Sequence, residues 1–263
     1  MKLLIDADYI VYKACAGAED EIDWGNDVIM VVSSYRKAKA FVDAELRKIT
    51  DVFPFNKGVI LFFSDSVNFR KKIMAAYKGH RNRKKPCGYK RVIRELEKEY
   101  EVIRMDTLEA DDAMGIYATQ YPGNMIVSPD KDMKQIPGSL YNLEEVTLIT
   151  PEEGEKMHYL QTLSGDQTDG YGGVPGMGMK RADAWFNKYG WNWDAVVRAF
   201  IEKDLDEREA LLNARLAKIL TVDYYDFDTR EPVLWTPATP SNYGTHFRAG
   251  LPVQTAGISI EQP

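Results

Sequence analysis

The sequence predicts an α/β fold: a mostly parallel sheet flanked by helices, with a smaller helical lobe attached. Three features carry that reading. Short apolar runs of strand length alternate with segments of helical spacing up to about residue 156. An acidic residue, Asp6, Asp65, Glu109 or Asp130, follows each of those runs. Beyond residue 156 the strand-like runs stop, and helical spacing resumes around a glycine-rich turn.

The elements follow in chain order. Leu3 to Ile5 reads as a short buried strand with Asp6 at its end. Residues 35–50 have helical spacing, with Ala40, Phe41, Ala44, Leu46 and Ile49 as the apolar positions. Val59 to Phe63 is a continuous apolar run, as in a strand covered on both faces, and Asp65 lies just beyond it. Residues 70–100 read as two helical pieces broken near Lys85-Pro86. Val102 to Met105 is a further strand, and Glu109 to Tyr121 a helix stopped by Pro122-Gly123. Met125 to Ser128 is a fourth strand, followed by Asp130 and Asp132. The division expected is a sheet-bearing part over 1–156, a helical lobe over 157–235 and an irregular tail over 236–263, rich in Pro, Gly, Thr and Ser.

The chain has 263 residues, 44% of them hydrophobic, enough for a sizeable core. Its formal net charge is −6, which argues against wholesale attraction to nucleic acid. The distribution differs from the sum. From Arg70 to Arg94 there are eleven Lys or Arg residues and no Asp or Glu, which suggests a focused phosphate-binding surface rather than a solvated helix face. Cys15 and Cys87 form neither a CxxC pair nor a Cys/His cluster, so zinc and a disulfide framework are not expected, and a reduced cytoplasmic setting fits. The four-residue apolar run in MKLLIDADYI is interrupted by Asp6 and is no signal peptide. No stretch approaches the roughly 20 apolar residues of a membrane span.

The chemistry is expected where the acids converge. In parallel α/β sheets ligands gather at the carboxyl ends of the strands. Carboxylates brought together there repel one another unless cations neutralise them, and an all-oxygen donor set suits Mg²⁺ or Mn²⁺. Two such ions about 4 Å apart activate a water and stabilise a leaving oxygen. Any one Asp after a strand is as readily a helix cap or turn former. The strand-end acids together with the pairs Asp130/Asp132 and Asp166/Asp169 are harder to explain that way. In Leu108-Glu-Ala-Asp-Asp-Ala113 helix capping explains one acid, not Glu109, Asp111 and Asp112 together. Asp8 is read as solvated rather than as a second ligand, and Asp20, Glu21 and Asp23 as loop surface charge.

Two further runs bear on binding. Gly173-Val-Pro-Gly-Met-Gly178 forces a tight turn between helices, where Gly173, Gly176 and Gly178 let a phosphate or cation approach the backbone. Lys180 and Arg181 add charge beside it; the alternative is a plain helical hairpin. Tyr77-Lys-Gly-His-Arg-Asn-Arg-Lys-Lys85 joins an aromatic, able to stack on an unpaired base, to cations able to hold phosphates. The alternative there is a core Tyr77 with surface cations. No histidine ligand pattern, GxSxG elbow or P-loop is present.

These residues resemble the ordered motifs of the flap endonuclease/5′-exonuclease family: Asp6, Asp65, Glu109-x-Asp111-Asp112, Asp130-x-Asp132, and Gly165-Asp166-x-x-Asp169 followed by the glycine turn. Phe63-Ser-Asp-Ser-Val-Asn-Phe-Arg70, Lys85-Pro-Cys-Gly-Tyr89, Ser128-Pro-Asp-Lys-Asp132 and Gly165-Asp-Gln-Thr-Asp-Gly-Tyr-Gly172 are similar to the 5′-exonucleases of podophages. The resemblance runs from about Leu3 to Trp235. It implies a PIN-like, Rossmann-like nuclease domain with a helix–three-turn–helix duplex-binding lobe, and a basic helical arch over about 70–95. It implies one metal ion held by Asp6, Asp65, Glu109 and Asp111 and a second by Asp130, Asp132 and Asp166, with Asp112 and Asp169 nearby. Lys78 and Arg81 match the cations that steer the scissile phosphate, and Tyr77 an aromatic that stacks on the terminal base. Arg70, Arg83, Lys84 and Lys85 are read with them as contacts to DNA, and the glycine turn as a K⁺-binding duplex contact.

The function so implied is metal-dependent 5′→3′ exonuclease action on duplex DNA, with flap endonuclease and RNA-primer-removing activity, in DNA replication or host DNA degradation. The partner is double-stranded DNA with a 5′ end, nick or flap, or an RNA/DNA hybrid, bound by a monomer in the cytoplasm without membrane contact. Two rivals stay open. A PIN-type ribonuclease on single-stranded RNA explains the acids but not the glycine-rich lobe. An inactive DNA-binding module explains the basic strip but leaves the acids facing phosphate.

Overall fold

The computed structural model describes residues 1–80 and 84–237. Arg81, Arg83 and the tail from 238 to 263 lie outside the described residues. The elements run β1 (Leu3–Asp6), α1 (Ala7–Gly17), β2 (Glu19–Asp23), β3 (Ile29–Ser33), α2 (Tyr35–Val52), β4 (Val59–Phe62), α3 (Arg70–Ile73), α4 (Tyr89–Glu99) and β5 (Glu101–Ile103). There follow α5 (Ala110–Gln120), β6 (Met125–Val127), β7 (Gly138–Tyr141), β8 (Val146–Ile149), α6 (Pro151–Ser164), α7 (Met179–Tyr189), α8 (Trp193–Ile201), α9 (Glu207–Ala217), β9 (Tyr225–Asp226) and β10 (Glu231–Pro232).

Six strands form one sheet in the order β5-β4-β1-β6-β7-β8. All neighbours pair parallel except β7 and β8. The central strand shows why. Leu3, Leu4 and Ile5 are all fully buried, as a strand covered on both faces must be. Leu3 and Ile5 point to one face, where Val11 of α1, Val42 of α2 and Leu96 of α4 pack. Leu4 points to the other, against Met114 of α5 and Ile136. The helical lobe has its own core around Leu163, Phe186, Val196, Phe200 and Ala214. Among the described residues no helix is long and apolar enough to cross a membrane.

Several boundaries differ from the sequence reading. The buried stripe of α2 is Ala38, Val42, Leu46 and Ile49, and Phe41 is exposed. Spacing by three and four back from Leu46 selects positions 42 and 38, not 40 and 41. The acids read as loop charge lie instead on a hairpin, Glu19 opposite Ser33 through Asp23 opposite Ile29. Of the two helical pieces expected over 70–100, the first, α3, is four residues long among the described residues, and the second, α4, begins only after Gly88 turns left-handed at φ 79°. Helix α6 crosses the 156/157 division. Thr150 and Glu153 cap it reciprocally with Pro151 in the first turn, so it starts well before residue 156.

The lobe is tied to the sheet by a buried ion pair. The Arg70 guanidinium meets the Asp112 carboxylate twice, at 2.6 and 2.8 Å, and both side chains are buried. Arg70 also donates to the carbonyls of Leu216 (3.0 Å) and Lys218 (2.5 Å), and Leu220 N donates to Asp112 at 3.1 Å. Gln135 adds a second tie: it donates to Gln161 and the Ala217 carbonyl and accepts from Ile219 N. Arg70 and Asp112, expected as a DNA contact and a metal ligand, are instead each satisfied by the other inside the protein.

Breaking such a pair strands a buried charge, so Arg70→Met should destabilise the protein by about 3–5 kcal/mol. Arg70→Met with Asp112→Leu should cost clearly less than the two single changes added together. Urea unfolding of the three variants checks both; strict additivity would refute the coupling.

Candidate active site

The carboxyl ends of β1, β4 and β6 open into a cleft of about 830 Å³. Asp6 ends β1 and caps α1, accepting from Tyr9 N at 3.2 Å. Ser128, fully buried at the end of β6, donates its hydroxyl to Asp6 at 3.3 Å and accepts from Asp130 N at 3.2 Å. Asp130 in turn accepts from Asp132 N at 2.9 Å. Sequence reasoning missed Ser128; a Ser two residues before an Asp at a strand end is a turn signal that could have flagged it. Glu109 caps α5 and places Asp111 in the first turn.

Asp8 needs correcting. The strand stops at Asp6, so Asp8 falls in α1. There it accepts from Ser64 N at 2.8 Å and from the Tyr89 hydroxyl at 2.5 Å, knitting α1 to β4 and α4. Asp65 lines the cleft, but its oxygens accept from Thr107 N at 2.8 Å and Ser66 N at 2.6 Å. The bond from Thr107 N holds its pKa below the usual carboxylate range.

The other acids fall into two repelling neighbourhoods that share Asp130. Burial, with Asp8 and Asp130 close by, pushes Asp6 up to about 7. Burial also raises Asp111 well above the usual range, reinforced by Asp6, Asp130 and Glu109. Asp132 rises to about 7 through burial and through Asp130, Asp166 and Asp169. Its Oδ1 is buried without a hydrogen-bond partner. Glu109 goes the other way: burial opposes its charge, but Lys78 and Arg70 outweigh it and hold the pKa down at about 2.

The lobe reaches the cleft through the loop after α6. Asp166 accepts from Thr168 N at 2.6 Å and lines the cleft with Asp169. Lys78 pairs with Glu109 and, at 3.4 Å, with Asp169. Lys78 N also donates to the Asp169 carbonyl at 2.8 Å. Tyr77 is only 2% exposed, so its ring has no face for a base and the stacking role is corrected. Its hydroxyl shares one proton between Asp169 at 2.8 Å and Glu109 at 3.1 Å.

The glycine turn is built from two kinds of glycine. A Cβ on Gly173 would lie 2.3 Å from Gly165 N, so this buried residue serves close packing, not an approaching ligand. Gly176 and Gly178 are exposed, and Gly178 caps α7 without a side-chain bond to its free N–H groups. Lys180 and Arg181 follow, both exposed. Lys84 and Lys85 are exposed, and Lys85 lines the cleft.

The donors fit a divalent cation. They are oxygen-only, burial and neighbouring acids disfavour the charged form of Asp6 and Asp132, and the Asp132 oxygen is buried without a partner. Among the described residues no three acids, histidines or cysteines come close enough to enclose one ion on their own, so the acids line an open cleft.

The family model for the 5′-3′ exonuclease, N-terminal resolvase-like domain, matches residues 1–161. The chain belongs to this family. It is 28% identical over 280 residues to the exodeoxyribonuclease of Enterobacteria phage T3, covering 89% of this chain and 92% of that protein. It is also 28% identical to the exonuclease of Escherichia phage T7, covering 89% and 93%. The fold is similar to the bacteriophage T5 D15 protein co-crystallised with metal ions: TM-score 0.62 and 14% identity over 85% of this chain and 90% of that one. The same protein, a flap endonuclease, matches equally well in a complex with DNA and metal ions. These likenesses show the α/β sheet and helical lobe read from the sequence to be those of the flap-nuclease fold.

A carboxyl whose pKa is raised in the folded protein stabilises it below the unfolded value and loses that contribution as pH rises through the folded value. Without divalent ions, Asp6 and Asp132 should therefore weaken the fold as pH climbs from about 4 to about 7. Asp132→Asn should flatten that slope relative to the unsubstituted protein and reduce the stabilisation by Mg²⁺. Thermal unfolding in EDTA and in Mg²⁺ across that range checks it; parallel slopes would count against the shared charge.

Proposed function

We propose that this protein is a divalent-metal-dependent 5′-nuclease that hydrolyses phosphodiesters at the 5′ end of duplex DNA. The observation that carries the reading is the pair of repelling carboxylate neighbourhoods meeting at Asp130, at the strand ends and beside Lys78. A purely binding protein gains nothing from buried acids facing a phosphate. The names of the phage T3 and T7 relatives point the same way.

In this reading Asp6, Asp111 and Glu109 with Asp130 face one ion, and Asp130, Asp132 and Asp166 the other, with water completing each shell; Asp65, expected in the first set, accepts from Thr107 N and Ser66 N instead. Mg²⁺ or Mn²⁺ bound there supplies a water of lowered pKa and charge stabilisation for the leaving 3′-oxygen. The protein does the rest. Ser128 orients Asp6 and Asp130 together. Asp65 secures the loop after β4. Lys78, held by Glu109 and Asp169, neutralises charge on the transferring phosphate, with Arg81 beside it in sequence. The exposed N–H groups of α7, with Lys180 and Arg181, bind the duplex backbone, and K⁺ at the Gly176–Gly178 turn adds to that contact. Cleavage of 5′ flaps and of RNA in a hybrid belongs to the same site, and the protein acts as a monomer.

Asp130→Asn with Asp132→Asn should lower Mg²⁺-dependent cleavage of a 5′-labelled duplex at least about a hundredfold, and Lys78→Ala by a comparable factor. Unimpaired cleavage by the double variant would defeat the assignment. Faster cleavage of single-stranded RNA than of duplex DNA by the unsubstituted protein would favour the ribonuclease reading.

A further inference from the structure

We infer that the cleft wall opposite the helical lobe is a second phosphate subsite, which takes the terminal 5′-phosphate of the nucleotide being released. The inference rests on the nuclease reading and adds to it a preference for one kind of end.

The argument begins with the two faces of the sheet. Helices α1 and α4 cover one face, and the helical lobe attaches on the other through α5 and the turn Lys131–Gln135. The cleft therefore has an α4 side and a lobe side, with the carboxylates between. A duplex held by the lobe brings its terminal strand across the carboxylates, so its released end lies toward α4. That end carries a phosphate of its own if the terminus is phosphorylated.

The α4 side is where an anion would otherwise be least welcome, since Asp8 lines the cleft there beside Tyr89. Yet three exposed cations, Lys85, Lys90 and Arg104, also line the cleft. Lys85 is held in place rather than waving in solvent. Its ammonium lies 4.5 Å from the centre of the Tyr89 ring and 5.9 Å from that of Tyr12, and 3.4 Å from the Tyr89 hydroxyl. That hydroxyl donates onward to Asp8, so the acid orients the lysine's seat instead of facing the ligand. The Arg104 guanidinium lies 5.7 Å from the Phe63 ring, just past β4, and 3.5 Å from Glu97 of α4, so its charge is partly met within the chain and Lys85 and Lys90 carry the subsite. Ordered cations lose less freedom on binding than loose ones, which favours a specific contact over diffuse attraction. None of these residues is needed to hold an ion at Asp6, Asp111, Asp130 or Asp132.

The test compares blunt duplexes that differ only in a 5′-phosphate or a 5′-hydroxyl. The unsubstituted protein should show kcat/KM about tenfold higher on the phosphorylated end, the size of one or two charge-assisted contacts. In Lys85→Ala with Lys90→Ala that ratio should fall to about twofold or less. The same pair of duplexes titrated by fluorescence anisotropy in Ca²⁺ should show the same loss of preference in Kd. No preference in the unsubstituted protein, or a full preference in the variant, overturns the subsite. If neither duplex is cut in Mg²⁺ or Mn²⁺, the nuclease reading fails instead, and the anisotropy comparison still decides the subsite.

Discussion

The buried pair of Arg70 and Asp112 sets the relation on which the site depends. Asp112 lies in the first turn of α5, next to Asp111 and three residues from Glu109. Arg70 reaches from the start of the basic strip and also grips the carbonyls of Leu216 and Lys218 at the end of the lobe. One guanidinium thus registers three segments: the acidic helix, the strip that bears Lys78, and the lobe that bears Asp166 and Asp169. A buried pair of this kind adds little net stability over an apolar substitute. Its geometry is fixed, however, because a guanidinium fork satisfies a carboxylate in one orientation.

Around that registration the protein separates its charges by task. Glu109 is kept ionised by two cations, whereas Asp6, Asp111 and Asp132 lie among other acids and hold protons more tightly than usual. The first arrangement is settled within the chain. The second is unfinished without added positive charge, which is the physical content of a metal requirement. Ser128 makes the unfinished half precise by tying Asp6 to the Asp130 backbone.

The lobe and the cleft are joined a second time at Tyr77 and Lys78. Their contacts to Asp169 and Glu109 mean that the loop after α6 cannot shift without disturbing a carboxylate of the sheet domain. The position of the lobe and the arrangement of the acids are therefore one mechanical problem. The cations on the α4 side stand apart from that linkage, on the other face of the sheet.

The sequence by itself determined the alternation of strands and helices, the acids at the strand ends and the family. All of these are local: an apolar run of four residues or a Gly-Asp spacing is read without knowing its neighbours. Only the tertiary structure decided which charged residues face the cleft. Arg70 and Asp112 look in sequence like a DNA contact and a ligand, Tyr77 like a stacking platform and Asp8 like a solvated acid. Each is claimed by a partner 32 to 92 positions away. A charged or aromatic side chain has the same composition whether it meets solvent, a ligand or a distant partner, and chain topology alone settles which of these it meets.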